Sequence, residues 1–270
     1  TNGDNGLTIT ADGNLVISGI VGGSTELTTY AVTTTGSASQ TFSANVTTSG
    51  NQTYTAAGGI VTSGARTFTS SVRTVNFASA LSGDNNVTVT GNADIDGAIT
   101  SIAVLSISGT SNIGADITTS GTQTYTGAAT LSANVTLTSS GDVITFSNTV
   151  NSADSTNRDL TVTTGGDTVH INFDGIVGGS QGLGAIALTG VLDLNAAIAD
   201  ANSLTVSGVS LLDADVTTSG NQTYSAAITL GTAARTLQGT TVQTTTINGA
   251  QNLTITGILD LNGAIGASTR

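Results

Sequence analysis

Cysteine, methionine, tryptophan and proline are absent from the 270 residues, and the five basic side chains are all arginine, so lysine is absent too. Each gap removes a class of function. Without cysteine there is no disulfide framework or thiolate site, and with no sulfur side chain the chain lacks the readily oxidised groups. Without lysine a phosphate-cradling loop loses its cation. One histidine, His170, would have to be the base of any nucleophilic triad, and no G-x-S-x-G element surrounds any serine. Charged residues make up 8% of the chain, with 17 acids and a net charge of -12, which opposes nucleic acid and anionic membrane as partners. No apolar run is long enough to cross a bilayer as a helix, and the first residues hold no basic start followed by an apolar stretch, so neither a spanning helix nor a signal peptide is expected.

What remains is glycine, threonine, serine, asparagine and small aliphatics, arranged repetitively. Val87 to Tyr125 returns without a gap as Ile186 to Tyr224, with close to half of the positions identical. The element Thr47-Thr48-Ser49-Gly50-Asn51-Gln52-Thr53-Tyr54 recurs at residues 118–125 and 217–224. Repeat units of about 47–117, 118–216 and an incomplete 217–270 follow from it. The interval from Tyr125 to Tyr224 is longer than that from Tyr54 to Tyr125, and the surplus has a visible source. Ile144-Thr145-Phe146 is echoed by Ile171-Asn172-Phe173, whereas the matching Val75-Asn76-Phe77 of the earlier interval occurs once, so the surplus reads as one inserted module. A second element, NVTVTGNADIDGAI from Asn86, returns from Ala185 and again from Asn252. This last copy runs almost to Arg270, and residue 1 is Thr, so the chain is expected to be a processed or excised piece of something longer.

The local pattern is strand and turn. Leu7-Thr8-Ile9-Thr10, Val87-Thr88-Val89-Thr90 and Leu160-Thr161-Val162-Thr163 alternate aliphatic with threonine, which puts one face inward and one in water. Pairs such as Gly22-Gly23 and Gly178-Gly179 turn the chain between them. Strands of this kind close either as antiparallel sandwiches or as rungs of a parallel solenoid. Aromatics are only 3% of residues, too few for sandwich cores, and anchors such as Val87 and Leu105, 18 apart, or Leu105 and Tyr125, 20 apart, suit a rung of about twenty residues. The expectation is an all-β, single continuous solenoid over residues 1–270 with little or no helix, on the order of a dozen turns at ~4.8 Å each.

The TTSGxQTY element, the LTVTG/LDLNGAI element and the ITF strand resemble repeats of large bacterial surface proteins of the filamentous-haemagglutinin-like and autotransporter-passenger type. The resemblance implies a right-handed parallel β-helix, export to the cell surface or medium, and a role in attachment, aggregation or an extracellular fibre. It carries over no catalytic or ligand-binding residue.

No catalytic, cofactor or metal site is assigned from the sequence. Asp94 and Asp96, Asp213 and Asp215, Asp84 and Asp116 offer oxygen ligands that calcium would accept. The calcium-binding nonapeptide pattern is missing, and aspartate in Gly-rich turns caps backbone amides, which is the reading taken. A polysaccharide-cleaving β-helix would pair carboxylates such as Asp94, Asp193 and Asp260 across neighbouring turns with a basic residue to help, but the three recur at one place in the unit, which suits a surface turn better than a unique active site. Arg66 and Arg235 occupy matching repeat positions. His170 reads as an outward strand residue. Tyr54, Tyr125 and Tyr224 are expected at corners with their hydroxyls in water; the alternative is stacking on sugar rings. Asn45, Asn51, Asn86, Asn134, Asn221 and Asn252 each begin an N-x-T sequon that arises readily in Thr-rich strands.

The functional expectation is a non-enzymatic, extracellular adhesive or structural segment, partnered by flanking repeats, other copies or cell-surface glycans. A self-assembling filament or surface-layer subunit is the rival. Ordering of water by a flat threonine array, as in ice-binding solenoids, would require regular threonine ranks on one face, and the irregular repeat spacing argues against them.

Overall fold

The computed structural model describes residues 5–166 and 168–266; Thr1 and Arg270, on which the expectation of an excised piece rested, lie outside them. The chain is an all-β solenoid of about 13 turns, with no helix among the described residues. It divides into two compact units, residues 1–127 and 128–270.

In the first unit each turn contributes three short strand segments, and successive turns stack them into three columns of parallel pairs. The first column runs from Leu7–Ala11 through Tyr30–Thr34 and Gln52–Ala56, then residues 74–77 and 92–95, to Ser111–Ile113. The second holds Leu15–Ile17, Gln40–Phe42, Ile60–Thr62, Leu81–Ser82, Ile99–Ile102 and Ile117–Thr119. The third begins at Val21 and continues through Val46–Thr48, the first halves of Arg66–Phe77 and Val87–Ile95, Leu105–Ile107 and Gln123–Tyr125. Leu105 lies beside Gln123, and Tyr125 lies one alternate position further, beside Ile107. The turn here is therefore two positions shorter than the Leu105-to-Tyr125 spacing suggests.

The second unit repeats the scheme. Ala129–Leu131 and Val150–Ser152 start its first column, which passes through single-residue bridges at Val177 and Ile198 to Val216–Thr217. The second column stacks Val135–Ser139, Leu160–Thr163, Leu183–Thr189, Ala201–Val206 and Gln222–Tyr224. The third stacks Ile144–Phe146, His170–Phe173, Val191–Leu194, Ser210–Leu212 and Ile228–Leu230. Along the chain the strand of Tyr125 is the eleventh segment after that of Tyr54, and the strand of Tyr224 is the fourteenth after that of Tyr125. The difference, three segments, is one whole turn. Ile171-Asn172-Phe173 lies directly on Ile144-Thr145-Phe146, so the inserted module is a layer stacked on its own likeness.

Why these sequences make these strands follows from their alternation. Val-Thr-Val, Gln-Thr-Tyr and Ile-Thr-Phe all show the pattern buried, half-buried, buried, because successive side chains point to opposite faces. All four tyrosines and all five phenylalanines are buried. In the first unit Tyr54 sits among Tyr30, Phe42, Phe68 and Phe77 with ring centroids 5.0–6.0 Å apart. In the second, Phe146 and Phe173 stack at 5.2 Å with planes 4° apart. Each such ring contributes roughly 1.5–3 kcal/mol through burial. At one corner of the first unit Gly91, Gly109 and Gly127 lie over one another, the Gly109 and Gly127 amides donating to the carbonyls of Gly91 and Gly109 at 2.9 and 3.2 Å. A Cβ on Gly109 would fall 2.5 Å from the Gly91 carbonyl, so only glycine lets those corners approach so closely.

Candidate functional site

The most repeated element in the sequence is an interior fastener. Glutamine and tyrosine two positions apart on one strand share its inward side, and the Tyr54, Tyr125 and Tyr224 hydroxyls donate to Gln52, Gln123 and Gln222 Oε1 at 2.6, 2.9 and 3.0 Å. The glutamine Nε2 bonds the threonine before the corner, Thr48, Thr119 or Thr218, at 3.2–3.4 Å. That hydroxyl in turn donates to the corner carbonyl of Gly50, Gly121 or Gly220. Gln52 and Gln222 also reach the next turn, at Thr69 and Gln238 carbonyls, 2.6 and 2.7 Å away. The tyrosine hydroxyls are therefore not in water, and the rings are not available to a sugar. The signal lay in the spacing Gln-x-Tyr, which places both on one side of a strand. Burial pushes the Tyr30 hydroxyl pKa up to about 12 and holds those of Tyr54, Tyr125 and Tyr224 well above the ordinary tyrosine value. Tyr30, preceded two positions earlier by Thr28, has a buried hydroxyl without a partner.

The fastener is not tied to one side. Within the first unit residues 47–54 bridge the third column to the first, whereas residues 118–125 bridge the second to the third. Within the second unit the LTxTG/LDLNxAI element starts on the second column at Ile186 and on the first at Leu253. The columns are thus equivalent environments for the same sequence.

Asp94, Asp193 and Asp260 lie on strands, outward, and not in turns: alternation between aliphatics fixes the direction of each. Asp94 and Asp260 sit among amides of neighbouring turns. Asp94 accepts from Asn76 at 2.7 Å and from Asn112 at 2.8 Å, and Asp96 accepts from the same Asn76 amide at 2.9 Å. Asp260 accepts from Gln243 at 3.2 Å, and Asp193 stands 3.7 Å from the half-exposed His170 ring. Arg66 and Arg235 act alike, each Nε donating across a corner to a strand-end carbonyl, Phe42 at 3.1 Å and Leu212 at 3.2 Å. Asp213 is 3.6 Å from Arg235, and Asp215 accepts the Thr236 amide at 2.8 Å. Asp84 stands at positive φ in its turn. No group of three or more potential metal ligands forms among the described residues. The sequon asparagines Asn45, Asn51 and Asn134 cap the next turn, accepting the amides of Thr67, Thr74 and Asp159.

One outward arrangement is regular. On the third column of the first unit Thr67, Thr88, Ser106 and Thr124 form one rank. Thr47, Thr69 and Thr90 pair beside it, and Ser108 and Thr126 continue them through amides bonded to the turn below. On the second column of the second unit Thr161, Ala187, Thr205 and Thr223 form one rank. Thr163, Thr189, Ser207 and Ser225 form the rank next to it. The step in sequence from Thr161 to Ala187 is longer than that from Thr205 to Thr223, yet the ranks hold, because the corners absorb the extra length. Irregular spacing in sequence therefore does not prevent regular ranks.

No family model matches the chain, and neither the curated proteins nor the solved structures contain a match.

Proposed function

We propose that the chain is a non-catalytic repeat segment of a large bacterial surface protein, acting outside the cell as an adhesive or structural stalk. The observation that carries this reading is that the most repeated element, Thr-Gln-Tyr, is consumed by fastening one turn to the next. Repetition of an interior fastener lengthens a stack; repetition of a binding site would leave its aromatic outside. The surface supports the same reading: Asp94 and Asp260 are held by amides of neighbouring turns, Asp154 and Asp213 stand beside arginines, and the net charge of -12 disfavours nucleic acid and anionic lipid. Flanking repeats and cell-surface glycans are the partners proposed, with no cofactor.

A filament of copies is the second reading, favoured by the likeness of the layers: residues 144–146 pair in parallel register with their near copy 171–173, and a strand edge that accepts its own kind within the chain would accept it from another copy. Electron microscopy of the native material, with binding to cells and glycan arrays, separates the two. Isolated particles that bind support the adhesin; an ordered fibre with a fixed axial repeat and no cell binding supports the filament. Turnover of a polysaccharide would overturn both.

A further inference from the structure

We infer that the paired hydroxyl ranks on each unit form a surface that binds crystalline water. Each rank pair is a two-dimensional grid. Neighbouring ranks stand two positions apart along a strand, about 6.6 Å, and successive turns repeat every ~4.8 Å. In the first unit Thr67, Thr88, Ser106 and Thr124, with Thr69, Thr90, Ser108 and Thr126 beside them, give a hydroxyl at every grid point. In the second unit only Ala187 interrupts the grid formed with Thr189, Thr205 and Ser207.

Three properties point to ordered water as the ligand. Threonine is stiff at χ1, so stacked threonines hold hydroxyl and methyl in a repeating orientation and not in a mobile brush. The grids contain no charged side chain, which would hold its own hydration shell in a geometry set by the ion. Finally, every tyrosine and phenylalanine ring is buried, so a sugar at these grids would find no such ring to stack on and would be held by hydrogen bonds alone. The first column of the first unit differs: Asn76, Asp94 and Asn112 bond one another, leaving those groups committed within the protein, whereas on the grid Ser108 accepts the Gly91 amide at 3.0 Å and keeps its hydroxyl hydrogen to donate. Ranks of methyl and hydroxyl on a fixed sheet match a solid that is itself a lattice of hydrogen-bonded oxygens, where many weak contacts act together.

The test is growth of polycrystalline ice held just below melting in the presence of the full chain, with albumin at equal mass as the control. The grids predict several-fold slower coarsening than albumin, and faceted single crystals. The double variant Thr90→Tyr with Thr205→Tyr, which raises a ring from each grid, is expected to lose that inhibition. Thr118→Tyr with Thr229→Tyr, outward on other columns, is expected to keep it. Far-UV circular dichroism of all three confirms the same strand content. Coarsening equal to that with albumin overturns the proposal, as does equal inhibition by both double variants. Depletion of the chain by crystalline cellulose or chitin, lost in Thr90→Tyr with Thr205→Tyr and without any effect on ice, overturns it in favour of a polysaccharide surface.

Discussion

A buried Gln-Tyr pair concentrates several requirements in two side chains. Tyr224 fills the interior with an aromatic ring, and its hydroxyl neutralises the acceptor that Gln222 brings inside; Gln222 then uses its amide to hold Thr218 and the Gln238 carbonyl of the next turn. An orphaned acceptor in that setting costs about 1–3 kcal/mol, more than the net value of the bond itself. Tyr224→Phe keeps the ring and strands the Gln222 oxygen, so chemical denaturation should find the variant less stable by about that amount. Thr223→Ser, outward on the same strand, should stay within about 0.5 kcal/mol of the parent. Equal stability of the two would mean that the fastener does not hold the turns. The inward role of the tyrosine was legible in Gln-x-Tyr once strand alternation is applied to it. The partner of the glutamine in the turn above was not, because that contact depends on stacking register, which no local window contains.

At the scale of the strand and turn, the alternation of aliphatic and threonine was sufficient to place most segments: Val87–Ile95, Val135–Ser139 and Leu160–Thr163 fall where the pattern puts them. The motif's migration between columns was hidden by its length, because eleven or fourteen segments do not divide into threes. The turn also explains how a module can be gained. Phe146 to Val150 and Phe173 to Val177 are corners of the same length, each ending at a first-column residue. Excision of residues 147–173 joins one corner to the other, lowers Leu192 onto Ile144 and leaves every remaining layer with a full set of neighbours. That variant should stay folded, with a single cooperative transition and strand-type circular dichroism. Removal of residues 153–166 alone takes Leu160–Thr163 from the second column and leaves a turn one segment short. It should lose the cooperative transition. Retention of full stability by this second variant would contradict the layered description.

For the whole molecule, the scarcity of charge becomes intelligible. Most outward positions carry neutral hydroxyls and amides, and where a carboxylate stands among them, as in Asn76-Asp94-Asn112, the neighbouring amides bond it along the stack, so solubility and lateral order come from the same face. Seventeen acids against five arginines give a net charge of -12, a balance that opposes association with anionic polymers. The central claim is that residues about one turn apart in sequence are nearest neighbours in parallel register within each unit. The absence of native cysteine allows a direct measurement, oxidative cross-linking of introduced pairs. Thr88→Cys with Ser106→Cys, and Thr161→Cys with Ala187→Cys, place thiols on adjacent strands in register, within reach of a disulfide. Both pairs should close rapidly and intramolecularly, while Thr88→Cys with Thr124→Cys, two turns apart, should not. Failure of the two adjacent pairs to close, or closure of the third at the same rate, would contradict the parallel stack on which the account depends.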